Sequence, residues 1–170
     1  MNLDDIPAGE TVFIDSNIFI YHFTGASGQC SDLLSRCEQK ELTGITLTNV
    51  LLEVLHRLMM VEAVSKKLVE PPNIVKKLNR KPALVRQLGD YYFNTLKIFE
   101  MGIEVRPIRY DTFLKSEFYR SKYGFLVNDS IIAAALQTEK AACLATRDDA
   151  FLPVLELAVY QPDDLAVGTL

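Results

Sequence analysis

Four carboxylates occupy positions where a parallel sheet would bring side chains together. They are Asp15, Glu53, Asp129 and Asp148. The first and the last each follow or end an apolar run that is typical of a buried strand, and the other two lie near the starts of helices with apolar periodicity. Because strand ends and helix starts meet at one edge of an open α/β sheet, we expect the four acids to share a site there.

The four carboxylates would repel one another, and a hard divalent cation is the simplest neutraliser. Mg²⁺ and Mn²⁺ prefer oxygen ligands, so the cluster predicts a metal site suited to phosphodiester chemistry. Each acid also has a structural explanation of its own. Glu53 could form an ion pair with Arg57 one turn later, and the three aspartates could cap turns or helix starts. One metal site explains all four acids together, and we therefore favour it.

Length and composition place limits on the kind of protein. The 170 residues, 49% of them hydrophobic, are enough for one domain with a substantial core. No apolar stretch approaches the roughly 18 residues of a membrane span, and the acidic start of the chain is unlike a signal peptide. Cys30, Cys37 and Cys143 have no CxxC spacing and are interpreted as reduced thiols. These features predict a cytoplasmic protein.

Apolar runs alternate with helical periodicity along the chain, which predicts an α/β fold with a parallel sheet. The predicted strands cover residues 11–15, 45–48, 103–108 and 142–146, with a short fifth at 159–160. The predicted helices cover residues 17–23, 31–40, 73–79, 83–101, 110–123 and 128–140, and a long helix starts at 49 with Thr48 as its N-cap. We expect one domain, 1–170, with a helical excursion at about 62–101.

A basic segment interrupts an otherwise acidic chain. Between Lys66 and Arg86 there are seven cations and one anion, a net charge of +6 in a chain whose total is −4. On its own, such a segment is typical of a solvated connection. Beside a phosphodiester site it becomes a candidate contact for nucleic-acid backbone. The residues predicted to bind phosphates are Lys76, Lys77, Arg80 and Lys81.

Four segments together resemble the signature blocks of PIN-domain nucleases. They are VFIDSNI at 12–18, TNVLLEV at 48–54, NDSIIAAA at 128–135 and LATRDDAF at 144–151. Their order and spacing match from residue 11 to about 160. The resemblance implies a three-layer fold, in which a parallel sheet of four to five strands is flanked by helices, and an acidic Mg²⁺ or Mn²⁺ site that hydrolyses RNA.

The resemblance also implies roles for individual residues. It makes the four acids both catalytic and metal-binding, with polar support from Ser16 or Asn17 and from Thr146. Two departures stand out. The family often has a further acid where this chain has Ala150, and the neighbouring Asp149 could face elsewhere. The segment at about 62–90 is also longer than in the compact bacterial toxins of the family.

These features predict an endoribonuclease that uses metal-activated water and no protein nucleophile. The interpretation that we favour is a toxin resembling the VapC type, which forms a homodimer and is silenced by a small antitoxin protein. The alternatives are a free-standing PIN nuclease in RNA processing and a non-catalytic PIN-like module. Aspartate-nucleophile phosphatases fit less well, because Asn17 stands where they need a second acid.

Overall fold

Five parallel strands form the sheet of this protein, whose computed structural model describes residues 1–166. The strands are β1 (Thr11–Ile14), β2 (Thr43–Leu47), β3 (Glu104–Arg106), β4 (Cys143–Ala145) and β5 (Val159–Tyr160). Their order in the sheet is β3-β2-β1-β4-β5, and every neighbouring pair is parallel. The predicted α/β fold with a parallel sheet of four to five strands is therefore confirmed.

Within the described residues, eight α-helices connect the strands and flank the sheet. They are α1 (Ser16–Thr24), α2 (Gly28–Glu38), α3 (Thr48–Ser65), α4 (Ile74–Arg80), α5 (Pro82–Val85), α6 (Asp90–Glu100), α7 (Tyr110–Tyr123) and α8 (Val127–Thr138). Two short 3₁₀ turns cover Leu3–Asp5 and Asp149–Phe151. No helix within residues 1–166 is both long enough and apolar enough to cross a membrane.

The core lies around the central strands and the buried helix α8. Phe13 of β1 and Leu144 of β4 are completely buried, and α8 is buried along the whole run 131–136. A helix that is apolar on all sides in this way belongs in the interior of a domain. The three cysteines are free and buried, and burial raises the pKa of Cys30 to about 11 and that of Cys37 and Cys143 to about 12. Their thiols are therefore protonated and unreactive at neutral pH.

Two predicted helix boundaries are wrong. Thr48 is the first residue of α3 and not its N-cap; its hydroxyl donates to the backbone carbonyl of Arg106, 3.3 Å away. The predicted helix at 83–101 is in fact two helices, α5 and α6, because the helical conformation is interrupted between Arg86 and Gly89. Gly89 is the N-cap of α6, where it has no side chain to satisfy the free backbone N–H groups of the first turn.

A carboxylate from another helix satisfies those N–H groups. Glu62 of α3 is only 7% exposed and accepts hydrogen bonds from the backbone N–H of Gly89 at 2.9 Å and of Tyr91 at 2.8 Å. Lys66 also donates to it, at 2.6 Å. Burial alone would raise the pKa of Glu62, but these hydrogen bonds outweigh it and lower the pKa to about 2. Glu62 thereby fixes the start of α6 against α3.

Replacing this carboxylate should destabilise the fold. We expect Glu62→Gln to lower the free energy of unfolding by about 2 kcal/mol at pH 7, because the charge-assisted bonds to the α6 N-terminus weaken. Wild-type Glu62 loses its contribution as the pH falls from about 4.5 towards 2, so the difference between the two proteins should shrink over that range. Urea unfolding at several pH values measures it. Glu38→Gln, at an exposed position, is the control and should change little. Equal stability of Glu62→Gln and wild type at pH 7 would contradict this account of the α6 N-terminus.

Candidate active site

The candidate site lies where the strand order reverses. From β1 the chain first builds β2 and β3 on one side and then crosses to place β4 and β5 on the other. In open α/β sheets the crevice at such a switch point, outside the carboxyl ends of the strands, is the usual ligand site. Asp15 directly follows β1, and Thr146 directly follows β4. The topology therefore places these two side chains at the mouth of that crevice.

Asp15 is held by several donors. Its Oδ1 accepts the backbone N–H of Ser16 at 2.6 Å, and its Oδ2 accepts the hydroxyl of Thr146 at 2.6 Å and the amide of Asn17 at 2.8 Å. The residue is the N-cap of α1 and is 6% exposed. A carboxylate has about four lone-pair sites, so these three bonds leave acceptor capacity for another group.

Asn17 and Thr146 join the two loops on which the site is built. The Asn17 amide donates to the Thr146 hydroxyl at 3.0 Å, and its carbonyl oxygen accepts the backbone N–H of Arg147 at 3.0 Å. The Thr146 hydroxyl also accepts the backbone N–H of Asp148 at 3.1 Å. Of the three residues predicted to support the site, Asn17 and Thr146 thus contact Asp15 through their side chains. Ser16 contacts it through the backbone.

Burial and like charge both act on the acids. The pKa of Asp15 is raised to about 6, mainly by burial and to a smaller extent by the charges of Glu53 and Asp148, while the hydrogen bonds from Thr146 and Ser16 oppose the rise. Burial also raises the pKa of Asp129, and the same two neighbours add to the rise. The four predicted acids therefore interact electrostatically across one region. None of the ion pairs within residues 1–166 joins these four acids to a cation.

Some of the purely structural explanations considered for these acids do apply. Asp15 and Asp148 do act as caps, since Asp148 accepts the backbone N–H of Ala150 at 2.8 Å, and Asp129 lies in the first turn of α8. Glu53 differs, because none of the ion pairs in residues 1–166 joins it to Arg57 or to another cation. Its position on α3 is thus not explained by a salt bridge.

The carboxylates surround the site without converging on a single point. In the described part of the chain, no three His, Cys, Asp or Glu side chains stand close enough together to hold a metal ion as they are. The donor set nevertheless consists of oxygens, as hard divalent cations prefer. A further acceptor lies one helical turn before Glu53, where Oδ1 of Asn49 is buried and has no hydrogen-bond partner within residues 1–166. These features fit a hard cation with its bound waters.

A large cleft opens beside the acids. Its volume is about 1150 Å³ and its walls come from α1, α3 and the region of α4. Most of the exposed surface of the lining is apolar. Its polar residues are Asn17, Tyr21, His56, Arg57, Ser65, Asn73, Lys76, Asn79 and Arg80. The sequence analysis did not identify Tyr21 and Arg57 as site residues, because no local motif marks them.

The cleft includes part of the predicted phosphate-binding set. Lys76 and Arg80 line it. Lys77 instead donates to the backbone carbonyl of Glu70 at 2.6 Å, and Lys81 is an exposed residue between α4 and α5 that is not part of the lining. Because Asn17 bonds Asp15 and also lines the cleft, the acidic region and the basic helix α4 border the same space.

The chain is similar to known proteins in sequence and in fold. The sequence is 28% identical over 154 residues to Ribonuclease VapC2 of Methanocaldococcus jannaschii, which covers 88% of this chain and 93% of that protein. Among solved structures, VapBC2 from Rickettsia felis bound to a promoter DNA fragment superposes with a TM-score of 0.60 at 16% identity, covering 90% of this chain and 99% of that one. FitAB bound to the IR36 DNA fragment superposes with a TM-score of 0.54 at 16% identity, covering 93% and 99%. At these identities the two structures show a shared fold.

The family model for the PIN domain matches residues 12–154, a range that contains all four predicted acids. The resemblance seen in the four sequence blocks is thereby confirmed. This chain belongs to the PIN domain family.

Proposed function

We propose that this protein is a Mg²⁺- or Mn²⁺-dependent endoribonuclease that acts as the toxin of a toxin–antitoxin pair. The observation that carries the proposal is the buried Asp15, bonded by Asn17 and Thr146 at the switch point of the sheet, with three more acids close enough to act on it or on one another. Cleavage of a labelled single-stranded RNA with Mg²⁺, giving 5′-phosphate and 3′-hydroxyl ends, is the result that the proposal requires.

The acids would hold the metal ion. Asp15, Glu53, Asp129 and Asp148 supply carboxylate oxygens, and their mutual repulsion in the absence of an ion favours cation binding. A bound divalent ion lowers the pKa of a coordinated water and polarises a phosphoryl oxygen. The hydrogen bonds from Asn17 and Thr146 fix the position of Asp15, so that this carboxylate need not reorganise when an ion binds.

The cleft would hold the RNA. An acidic site repels a polyanion unless cations elsewhere bind the polyanion's backbone. Lys76 and Arg80 line the same cleft as Asn17 and can supply those cations. The largely apolar remainder of the lining suits the faces of unstacked bases, and Tyr21 offers a ring for stacking. This arrangement supports a single-stranded or looped substrate.

Removing the four predicted cations should weaken RNA binding whatever the RNA sequence. With Lys76, Lys77, Arg80 and Lys81 all changed to Ala, we expect the slope of log K against log salt to flatten by about 0.7 for each phosphate group that the protein no longer binds. The melting temperature should change little, because exposed charges contribute little to stability. A variant with Lys40, Lys97, Lys115 and Lys140 changed to Ala is the matched control. Fluorescence anisotropy at several salt concentrations measures both, and an unchanged slope in the first variant would show that the basic segment is only solvated.

The partner proposals are an antitoxin protein and a second copy of the chain. The antitoxin proposal rests on the similarity to Ribonuclease VapC2 and to the VapBC2 structure. A cytoplasmic location is proposed with it, since buried free thiols suit a reducing compartment. The homodimer proposal rests on α7, whose outward face is aromatic. The exposed large apolar side chains of this helix are Tyr110, Phe113, Leu114 and Phe118, at 77%, 55%, 54% and 52%.

The inward face of α7 is polar by comparison. Thr112, Ser116 and Tyr119 are buried, and the hydroxyl of Thr112 bonds Thr138 of α8 at 2.7 Å. The four outward side chains present roughly 450 Å² of apolar surface, more than half of the ~800 Å² that each partner contributes to a standard interface. Charged side chains at both ends of the helix are already paired, Arg109 with Asp111 and Arg120 with Glu117. At these two helix ends two copies would therefore meet without unpaired like charges, whereas the exposed Lys115 has no ion pair within residues 1–166.

Charged substitutions on this face should dissociate the dimer. We expect wild-type protein to sediment as a dimer at micromolar concentration and the double variant Phe113→Glu and Phe118→Glu as a monomer, because two carboxylates cannot be buried unpaired in the interface. The double variant Phe93→Glu and Phe99→Glu, on the equally exposed aromatic face of α6, is the control and should remain a dimer. A monomeric wild type, or a dimer lost only in the α6 variant, would overturn the assignment to α7.

A further inference from the structure

Asp149, the acid next to Asp148, is bonded by two donor side chains. Its Oδ1 accepts a hydrogen bond from the guanidinium NH1 of Arg147 at 2.7 Å and another from the side-chain amide of Gln161 at 3.0 Å. The bond from Gln161, together with Arg147, lowers the pKa of Asp149. Asp149 is therefore a fixed anion whose partner is an arginine on the same loop.

That arginine occupies a central position in the loop that follows β4. It lies between Thr146, which bonds Asp15, and Asp148, and its backbone N–H donates to the Asn17 carbonyl oxygen at 3.0 Å. Burial raises the pKa of Tyr21, and the positive charge of Arg147 acts against that rise more strongly than any other group. Because Asn17 bonds Asp15 and also lines the cleft, its bond to the Arg147 backbone attaches this residue where the acids and the cleft meet.

The guanidinium retains free donors in that position. Its side chain is 42% exposed, and within residues 1–166 its only side-chain hydrogen bond goes to Asp149. A guanidinium has five N–H donors in a planar fork, so most of them remain available to a ligand. This fork matches the oxygens of a phosphate better than any other side chain does.

We propose that Arg147 binds a non-bridging oxygen of the RNA phosphate at the acidic site, and that Asp149 is the positioning residue that holds the guanidinium there. The proposal rests on the ribonuclease function proposed above. It assigns the two positions different roles: Arg147 contacts the substrate, whereas Asp149 acts only through Arg147. It also gives Asp149 a role distinct from that of the neighbouring Asp148.

Cleavage kinetics test the two roles separately. We expect Arg147→Ala to lower kcat/KM by about 100-fold, which is typical for losing one oriented donor to a reacting group, and Arg147→Lys to recover part of the loss because the charge remains. Asp149→Ala should lower kcat/KM by roughly 10-fold in the wild-type background and have no further effect when Arg147 is Ala, since its role passes through that residue. Additive losses would show that Asp149 acts independently.

The pair Arg109 and Asp111 offers a matched control. It has the same spacing along the chain, is also exposed and also forms an ion pair, but it lies at the start of α7. Arg109→Ala and Asp111→Ala should leave kcat/KM unchanged. A loss in these controls as large as in Arg147→Ala would show that removing any such pair impairs the enzyme, and would overturn the proposal.

Binding in EDTA separates this inference from the ribonuclease proposal. With a labelled single-stranded RNA, we expect Arg147→Ala to bind several-fold more weakly than wild type and to flatten the salt slope by about 0.7, with Arg109→Ala unchanged. If wild-type protein fails to cleave RNA with either metal, the proposed function is wrong, and the binding comparison still decides the role of Arg147. Equal affinity and equal slope for Arg147→Ala and wild type would overturn the inference.

Discussion

Asp129→Asn is expected to abolish RNA cleavage and at the same time to raise the melting temperature of the metal-free protein. Loss of a metal-ligating charge should reduce the rate roughly a thousandfold or more. Burial and the charges of Asp148 and Glu53 raise the pKa of Asp129, so its ionised form is unfavourable in the folded protein. After allowance for solvent screening, relief of this repulsion should add about 0.5 kcal/mol, or roughly 1–2 °C.

Two other variants make this result specific. Asp15→Asn should abolish cleavage equally but bring no gain in stability, because the new amide would face the donors of Thr146 and Asn17 that now bond Oδ2. Asp111→Asn, in the first turn of α7, should retain activity and lose a little stability, since only its helix-end and Arg109 interactions are removed. Asp129→Asn protein that is inactive but melts earlier than wild type would favour a helix-start role over a metal site.

Chelation is the second change with a large expected effect. EDTA should reduce cleavage to background, and Mg²⁺ or Mn²⁺ added in excess should restore it, because the proposed nucleophile is a water molecule that the metal ion activates. Metal should also raise the melting temperature, by an amount equivalent to about 2.7 kcal/mol at a hundred times the dissociation constant. Full activity in EDTA, or products with 2′,3′-cyclic phosphate ends, would point to chemistry without a metal.

The pH dependence follows from Asp15. Its pKa of about 6 means that protons compete with the metal below that value, so activity should fall about tenfold per pH unit under pH 6. In the metal-free protein, the raised pKa of Asp15 makes the fold more stable at low pH. The stabilising contribution of neutral Asp15 is complete below about pH 4 and is lost as the pH rises through 6. Asp15→Asn, which is expected to be inactive, should remove the effect on stability, and thermal unfolding of the metal-free protein at several pH values measures it.

Much of the fold was predictable because its signals are local. The helix α7 was predicted with its observed bounds, since Gly124 ends it in a left-handed conformation (φ of 73°) that suits glycine. The strand β5 was also predicted correctly, and so was the parallel sheet. The break before α6 was not, because the carboxylate that caps this helix comes from Glu62, 27 residues earlier than Gly89.

The same distinction between local signals and contacts with distant residues applies to the site. The four acids were predicted from residue types and spacing, and their role stays a prediction; Asn17 and Thr146, predicted from the motif resemblance, do contact Asp15. The hydrogen bond between Asp149 and Gln161 could not be deduced, because Gln161 comes 12 residues later in the chain, just after β5. Tyr21 and Arg57 reach the cleft only through the packing of α1 against α3, which no local pattern encodes.

Anomalous X-ray scattering from crystals grown with Mn²⁺ tests the central claim most directly. The account predicts a Mn²⁺ peak at the carboxyl end of β1, within about 2.5 Å of carboxylate oxygens from Asp15 and at least one of Glu53, Asp129 and Asp148. It also predicts that the peak is absent from Asp129→Asn crystals grown in the same solution. A saturating concentration of Mn²⁺ that leaves these four carboxylates without an ion, while the protein still cleaves RNA, would contradict the account.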